Sequence, residues 1–177
     1  MRGTGSQTVV LDNVFVSEDA IVMKRVKGEF PMFWNVVLTV ALPLIMAPYL
    51  GIAEKAMKLT LEKSKAKQSR PLHSTLLLGE IYNSLTLAQV LHKDMIEIAN
   101  DLDFQAKERT GVEMLARKTL VANACTKTVN KAMETAGGKS FYRMFELERL
   151  FRDMQAVGFH IFPEKQQQHF TGEFLLK

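Results

Sequence analysis

Residues 31–53 run for 23 positions without a charged side chain, with Asn35 and Thr39 the strongly polar groups among them. Such a stretch has two stable homes. Roughly 20 apolar residues in a helix suffice to cross a bilayer, or the same helix can sit at the centre of a bundle whose neighbours turn apolar stripes toward it. Pro43 and Pro48 inside the segment, and the amphipathic continuation through Met57, Leu59 and Leu61, favour the bundle. The expectation is a buried central helix that runs on in charged form to about Lys65, and no membrane span.

The neighbours it needs follow downstream. After a break at Ser69, Arg70 and Pro71, the apolar positions Leu77, Ile81, Leu85, Ala88, Leu91, Met95 and Ile98 step by three and four, which predicts a second helix ending near Asn100. A polar connection covers residues 101–109. Thr110 and Glu113 have the spacing of a capping box, in which a hydroxyl and a carboxylate each satisfy an orphan N–H at a helix start. A third helix then carries Met114, Val121, Cys125, Val129 and Ala132 on one stripe. It stops at Gly137 and Gly138, because glycine reaches positive φ without steric cost. Leu147, Leu150, Phe151, Met154 and Val157 mark a fourth helix, closed by Gly158 and Pro163, with His160 in its exit.

Four helices joined by short loops have the form of an up-and-down bundle. Residues 8–16 are rich in β-branched side chains and read as a single strand, followed by a charged linker over 24–29. One strand is not a sheet. Its edge needs a partner from a further domain, from the helices or from another copy of the chain. The fold class is therefore all-α, a four-helix bundle over residues 26–177 with a short β-strand stub over 1–25.

The composition bounds what such a bundle does. At 177 residues, with 47% hydrophobic and 24% charged side chains, the chain suits one domain with one core. The net charge of +4 is mild, and no lysine-arginine block is interleaved with aromatics, so nucleic-acid binding is not expected. Arg2 is followed by glycine, threonine and serine instead of an apolar run, so no signal peptide is expected. A single cysteine, Cys125, cannot form an internal disulfide and reads as a small core side chain, which suits a cytoplasmic location. None of the nucleotide-cradling, metalloprotease, paired-cysteine or nucleophile-elbow motifs occurs, and no two of His73, His92, His160 and His169 have the spacing of a metal pair. His73, His92 and His169 read as surface or capping residues.

Three blocks, in order, resemble the carboxy-terminal region of the acyl-CoA dehydrogenase family. The first is MRGTGS with TVVLDNVFV at residues 1–16, similar to the last strand of that family's middle β-domain. Next comes YLGIAE at 49–54, similar to its first long carboxy-terminal helix. The last runs from Gly137 and Gly138 through Phe141 and LERL to Arg152 and Asp153, similar to its closing helices. The resemblance covers about the last third of that family. It implies FAD, or FMN, in a complete enzyme, an acyl-CoA or a small aromatic as substrate, and a homodimer or tetramer built through these helices. Glu134, Gly137 and Gly138 would stand on the cofactor side.

The departures from the family are as informative. The family's base is a glutamate nine residues after the arginine, where this chain has Ile161. The related flavin monooxygenases carry a histidine eight residues after it, which His160 matches. An imidazole titrates near neutrality and could hold, relay or take a proton beside a flavin. At the positions of the family's adenine-side arginine, Phe-Gly pair and glutamine stand Lys65, Gln68, Ser69 and Leu76, which weakens that contact. With the amino-terminal and middle domains absent save one strand, the chain reads as a truncation with an incomplete active site. The competing reading is a helical remnant that only oligomerises.

Overall fold

The computed structural model describes residues 7–69, 71–100 and 106–177. The chain divides into two compact units, Met1–Pro31 and Met32–Lys177. Within the second, five α-helices follow one another among the described residues: α1 (Phe33–Lys65), α2 (Leu72–Ile98), α3 (Glu108–Ala136), α4 (Leu147–Met154) and α5 (Glu164–Leu175).

α1 is, among the described residues, the one helix long and apolar enough to cross a membrane. Here it buries a stripe against the bundle. Leu38, Leu42, Met46, Tyr49, Ala53, Ala56 and Thr60 step by three and four and are shielded from solvent, each large side chain stabilising the fold by about 1.5–3 kcal/mol. Pro43 and Pro48 remove two backbone N–H donors without ending the helix. At the first of them α2 is tied to α1, since His92 Nε2 donates to the Pro43 carbonyl at 2.9 Å. That makes His92 an interhelical residue, half-buried, and corrects its reading as a surface or capping side chain. The buried hydroxyls of Thr39, Thr60 and Thr128 cost little to desolvate, because each returns to the carbonyl four residues back at 2.7–2.9 Å.

α3 is the central element and packs on α1, α2, α4 and α5. The helix directions follow from the polar ties. Glu80 pairs with Lys131 and Asp94 with Arg117, so α2 and α3 run antiparallel. Asn35 lies against Gly111 near the starts of α1 and α3, and Thr60 and Thr135 line one cleft near their ends, so these two helices run parallel. The arrangement of the three long helices is up, down, up. Every stripe residue named for α3, from Met114 to Ala132, is buried, as are Leu147, Leu150, Met154 and Val157 of the fourth helix and the 3-10 turn after it.

Three expectations are corrected. No strand forms over residues 8–16 or elsewhere among the described residues, because a β-branched run acquires a ladder only where a second strand pairs with it. Thr110 and Glu113 form no capping box. α3 begins a turn earlier, at Glu108, its N-cap Lys107 lacks a side-chain cap, and Glu113 instead accepts from Arg109 Nε at 3.0 Å. A fifth helix closes the described chain. In it Gln167 is buried and hydrogen-bonds Thr171, so a glutamine occupies the inward position that an apolar side chain would have advertised. The opening residues 1–6, Arg70 and the polar connection over 101–105 lie outside the described residues.

Candidate functional site

α4 continues into a 3-10 turn, Gln155–Phe159, and His160 follows in extended backbone. Two residues later Phe162 adopts φ 54°, a left-handed conformation that costs a residue with a Cβ roughly 1–2 kcal/mol and must be held by its surroundings. Two contacts hold it. Lys118, from the interior face of α3 and only 2% exposed, donates from Nζ to the Phe162 carbonyl at 3.2 Å. The Phe162 ring packs on Phe170 of α5, with centroids 5.5 Å apart.

So held, His160 reaches back to the middle of α1. Its Nε2 lies 2.5 Å from the Tyr49 hydroxyl, a short hydrogen bond, and the two rings meet edge to face with centroids 5.3 Å apart. Burial lowers the imidazole's pKa, and the Lys118 ammonium lowers it further. Burial raises the Tyr49 phenol, with the Asp153 carboxylate adding to the effect. Lys118 is itself pushed down by burial, against the opposing pull of Glu164. Phenol and imidazole therefore face each other as neutral groups. Arg149 and Arg152 spend their charge elsewhere, on Glu146 at 2.6 Å and Glu148 at 2.9 Å.

Gly137 ends α3 with φ 67°, as the sequence leads one to expect, and the Ser140 hydroxyl closes the turn by donating to its carbonyl at 2.7 Å. Beside this turn lies a cleft of about 310 Å³ lined by Thr60, Lys63, Ser64, Lys67, Thr135 and Gly138, with Lys139 at its edge. Three lysines, Ser64 and a glycine with nothing within 4 Å of a would-be Cβ make this a cationic recess, while the Thr60 and Thr135 hydroxyls donate to the Ala56 and Lys131 carbonyls and Lys63 Nζ sits 3.2 Å over the Phe145 ring. Such a recess fits the phosphate end of a flavin nucleotide. Glu134 is not among the lining residues. Its carboxylate pairs with Lys131 at 2.9 Å, and Lys131 also holds Glu80 of α2 at 2.9 Å. No cluster of three metal-ligating side chains occurs among the described residues.

A sequence model of the acyl-CoA dehydrogenase C-terminal domain matches residues 44–165, a span that takes in Tyr49, Lys118, the glycine turn and His160. The chain belongs to this family. Among curated relatives of this acyl-CoA dehydrogenase C-terminal domain, the acyl-CoA dehydrogenase-like protein YdbM of Bacillus subtilis is 29% identical over 173 residues, 90% of this chain and 42% of the relative. The 3-(aryl)acrylate reductase of Clostridium sporogenes is 25% identical over 183 residues, covering 100% of this chain and 47% of the relative. The chain thus spans less than half the length of the curated relatives it matches. Two solved structures share the fold. KijD3, in complex with FMN and a dTDP-linked amino-keto sugar, superposes with a TM-score of 0.74 at 19% identity over 84% of this chain and 39% of its own. A nitroalkane oxidase mutant crystallised with 1-nitrohexane gives 0.70 at 15% identity over 81% of this chain and 35% of its own.

Local sequence context singles out His160 and the glycine turn as candidates but not the residues packed around them. Tyr49 stood in the quoted YLGIAE block with no role. Lys118 carried a usable signal, since it occupies the stripe of Met114, Val121 and Cys125, where a lysine is out of place unless it reaches a fixed acceptor. Lys63, Lys67 and Lys139 come together only because α1 and α3 run parallel and end side by side.

Proposed function

We propose that this chain is the helical portion of a flavin-dependent oxidoreductase in which His160 handles the proton at the reacting centre. The Gly137–Gly138 turn and its lysines would receive the phosphate end of FAD or FMN. The observation that carries the reading is the family match across residues 44–165, which spans both features. A bound flavin would supply two-electron chemistry at carbon, and the protein's part is to bind, orient and manage protons. Lys63, Lys67 and Lys139 would neutralise phosphate oxygens, with Ser64 as a hydroxyl donor. His160, fixed by Tyr49 and by the Lys118 clamp on Phe162, would hold or relay the proton.

Oxidation or reduction of a CH–CH bond next to a thioester or carboxyl carbon is the substrate class we favour, a choice supported by the names of the two curated relatives. A second reading rests on Ile161 at the position of the family's glutamate. With an imidazole in place of a carboxylate, a monooxygenase-type reaction on a small aromatic is the alternative. The remainder of the pocket would come from residues outside this chain, and self-association through exposed apolar side chains such as Leu44 of α1 and Leu87 and Val90 of α2 would follow from the same design.

The test is titration of FMN and FAD into the purified protein, followed by flavin fluorescence and absorbance. Binding should weaken at least tenfold when Lys67→Glu and Lys139→Glu are combined, since two phosphate-facing charges are reversed. Saturating flavin should also raise Tm by mass action. Undetectable binding of both flavins at high micromolar concentration would leave the oligomerising remnant as the better account. In an active assembly, His160→Ala should lower turnover by about 10² to 10⁴ fold, far more than the modest fall in Tm expected from leaving the buried Tyr49 hydroxyl without its acceptor.

A further inference from the structure

We infer that Tyr49 is the positioning residue of His160, donating its phenolic O–H to Nε2 and so fixing the neutral imidazole as the tautomer that carries its proton on Nδ1. This rests on the reading of His160 as the proton-handling residue, and it specifies how that residue works.

The 2.5 Å separation of Tyr49 Oη and His160 Nε2 admits one hydrogen between them. Either the phenol donates to the ring nitrogen, or a protonated Nε2 donates to the phenolic oxygen. In the second arrangement the tyrosine O–H would need another acceptor. Tyr49 is 4% exposed, and its hydroxyl is paired with His160. An O–H buried without an acceptor keeps its full desolvation cost. The first arrangement leaves no such orphan, because His160 is only half-buried and its Nδ1–H can turn to solvent or to a ligand. It also joins the stronger donor to the stronger acceptor, a phenol to an imidazole lone pair. The charges on the packed elements keep the proton there. Lys118 of α3 opposes an imidazolium, Asp153 of α4 opposes a phenolate, and Glu164 of α5 acts on Lys118. Neither partner gains by transferring the proton.

The consequence is chemical. A histidine used as a base offers a lone pair, whereas His160 locked in this way offers an N–H. Its role is to donate a hydrogen bond to negative charge that develops on a bound group, and Nε2 becomes basic only if Tyr49 moves away. That separates it from a carboxylate base, which accepts from the outset.

The experiment is a long-range proton-nitrogen correlation spectrum of the full chain labelled with ¹⁵N-histidine, recorded across pH without flavin and again with FMN added. We expect His160 in its neutral form to show a protonated Nδ1 and an unprotonated, hydrogen-bonded Nε2. In Tyr49→Phe, which keeps the ring and its packing, the preference should relax toward the tautomer mixture of a free imidazole, and the titration of His160 should move up toward the ordinary histidine value. A protonated Nε2 in the wild-type chain overturns the proposal even if the variant fails to fold. A tautomer and titration unchanged in a folded Tyr49→Phe overturn it as well. Neither outcome depends on flavin, so failure to bind FMN counts against the proposed function and leaves the pairing to be judged on the spectra alone.

Discussion

The first unit and the helical unit contain equally convincing apolar runs, and only one of them became regular structure. Over residues 8–16 Val9, Val10, Leu11 and Phe15 are 78–89% exposed, and neither helix nor strand forms there. Over residues 31–53 a run of similar character became the first half of α1, with Leu38, Leu42 and Met46 at 0–2% exposure. The difference lies in where the backbone partners come from. A helix satisfies its N–H and C=O groups within itself and then needs only a face to bury. A strand satisfies nothing until another strand arrives. Apolar sequence is a demand for burial, and the helical unit answers it with α3.

The sharpest way to break this comparison is to truncate one side chain from each run. Met46→Ala empties a fully buried site and should cost about 2–5 kcal/mol. Phe15→Ala, at 89% exposure, should fall within about 0.5 kcal/mol of the parent. Urea unfolding monitored by helical circular dichroism measures both. An equal loss from the two substitutions would mean that residues 8–16 are part of the cooperative core, and the contrast would collapse.

A smaller effect sharpens the account of the helical unit. α3 passes so close to α1 that a Cβ on Gly111 would stand 2.0 Å from Asn35 Oδ1. Gly111→Ala should therefore destabilise by about 1–3 kcal/mol despite the gain in helix propensity, because packed helices resist displacement. In an Asn35→Ala background most of that penalty should vanish. The residues touch, so a double-mutant cycle should give a coupling of about 1 kcal/mol or more. A coupling near zero would show that the helices separate freely at this crossing.

The same crossing shows what the sequence made legible. Stripes of three-and-four spacing located α1 to α4 because burial of apolar side chains is recorded residue by residue in the pattern. The strand over residues 8–16 failed because β-propensity carries no record of whether a partner exists. α5 was missed because its buried position is a glutamine satisfied by Thr171, which reads as polar and therefore as surface. At the candidate site, His160 and the glycine turn could be singled out from local context. Tyr49 could not, since it meets His160 across 111 residues of sequence. Gly111 lies inside the Thr110–Glu113 spacing, where nothing local shows that it must have no side chain because two helices cross there.

The smallest expected effect separates the two units by pH. Residues 1–31 contain no histidine, and His160 of the helical unit has a lowered pKa from burial and from Lys118. A base whose folded pKa is depressed binds fewer protons folded than unfolded. By linkage, stability then falls as pH drops below the ordinary histidine value of about 6.5, until the folded value is passed. In the first unit Asp19 has a carboxyl held low, mainly by the Ser17 side chain. An acid with a depressed pKa adds stability above its unfolded value and loses it only as pH falls through the carboxylate range. Acidification from pH 7 to pH 5 should thus lower the helical unit's Tm while leaving the Ser17–Ala20 turn intact. The turn's amide signals should shift only below about pH 4. His160→Asn, which cannot gain a proton, should remove the part of the Tm drop that His160 causes, and a drop of undiminished size would move its origin away from the Tyr49–His160 pair.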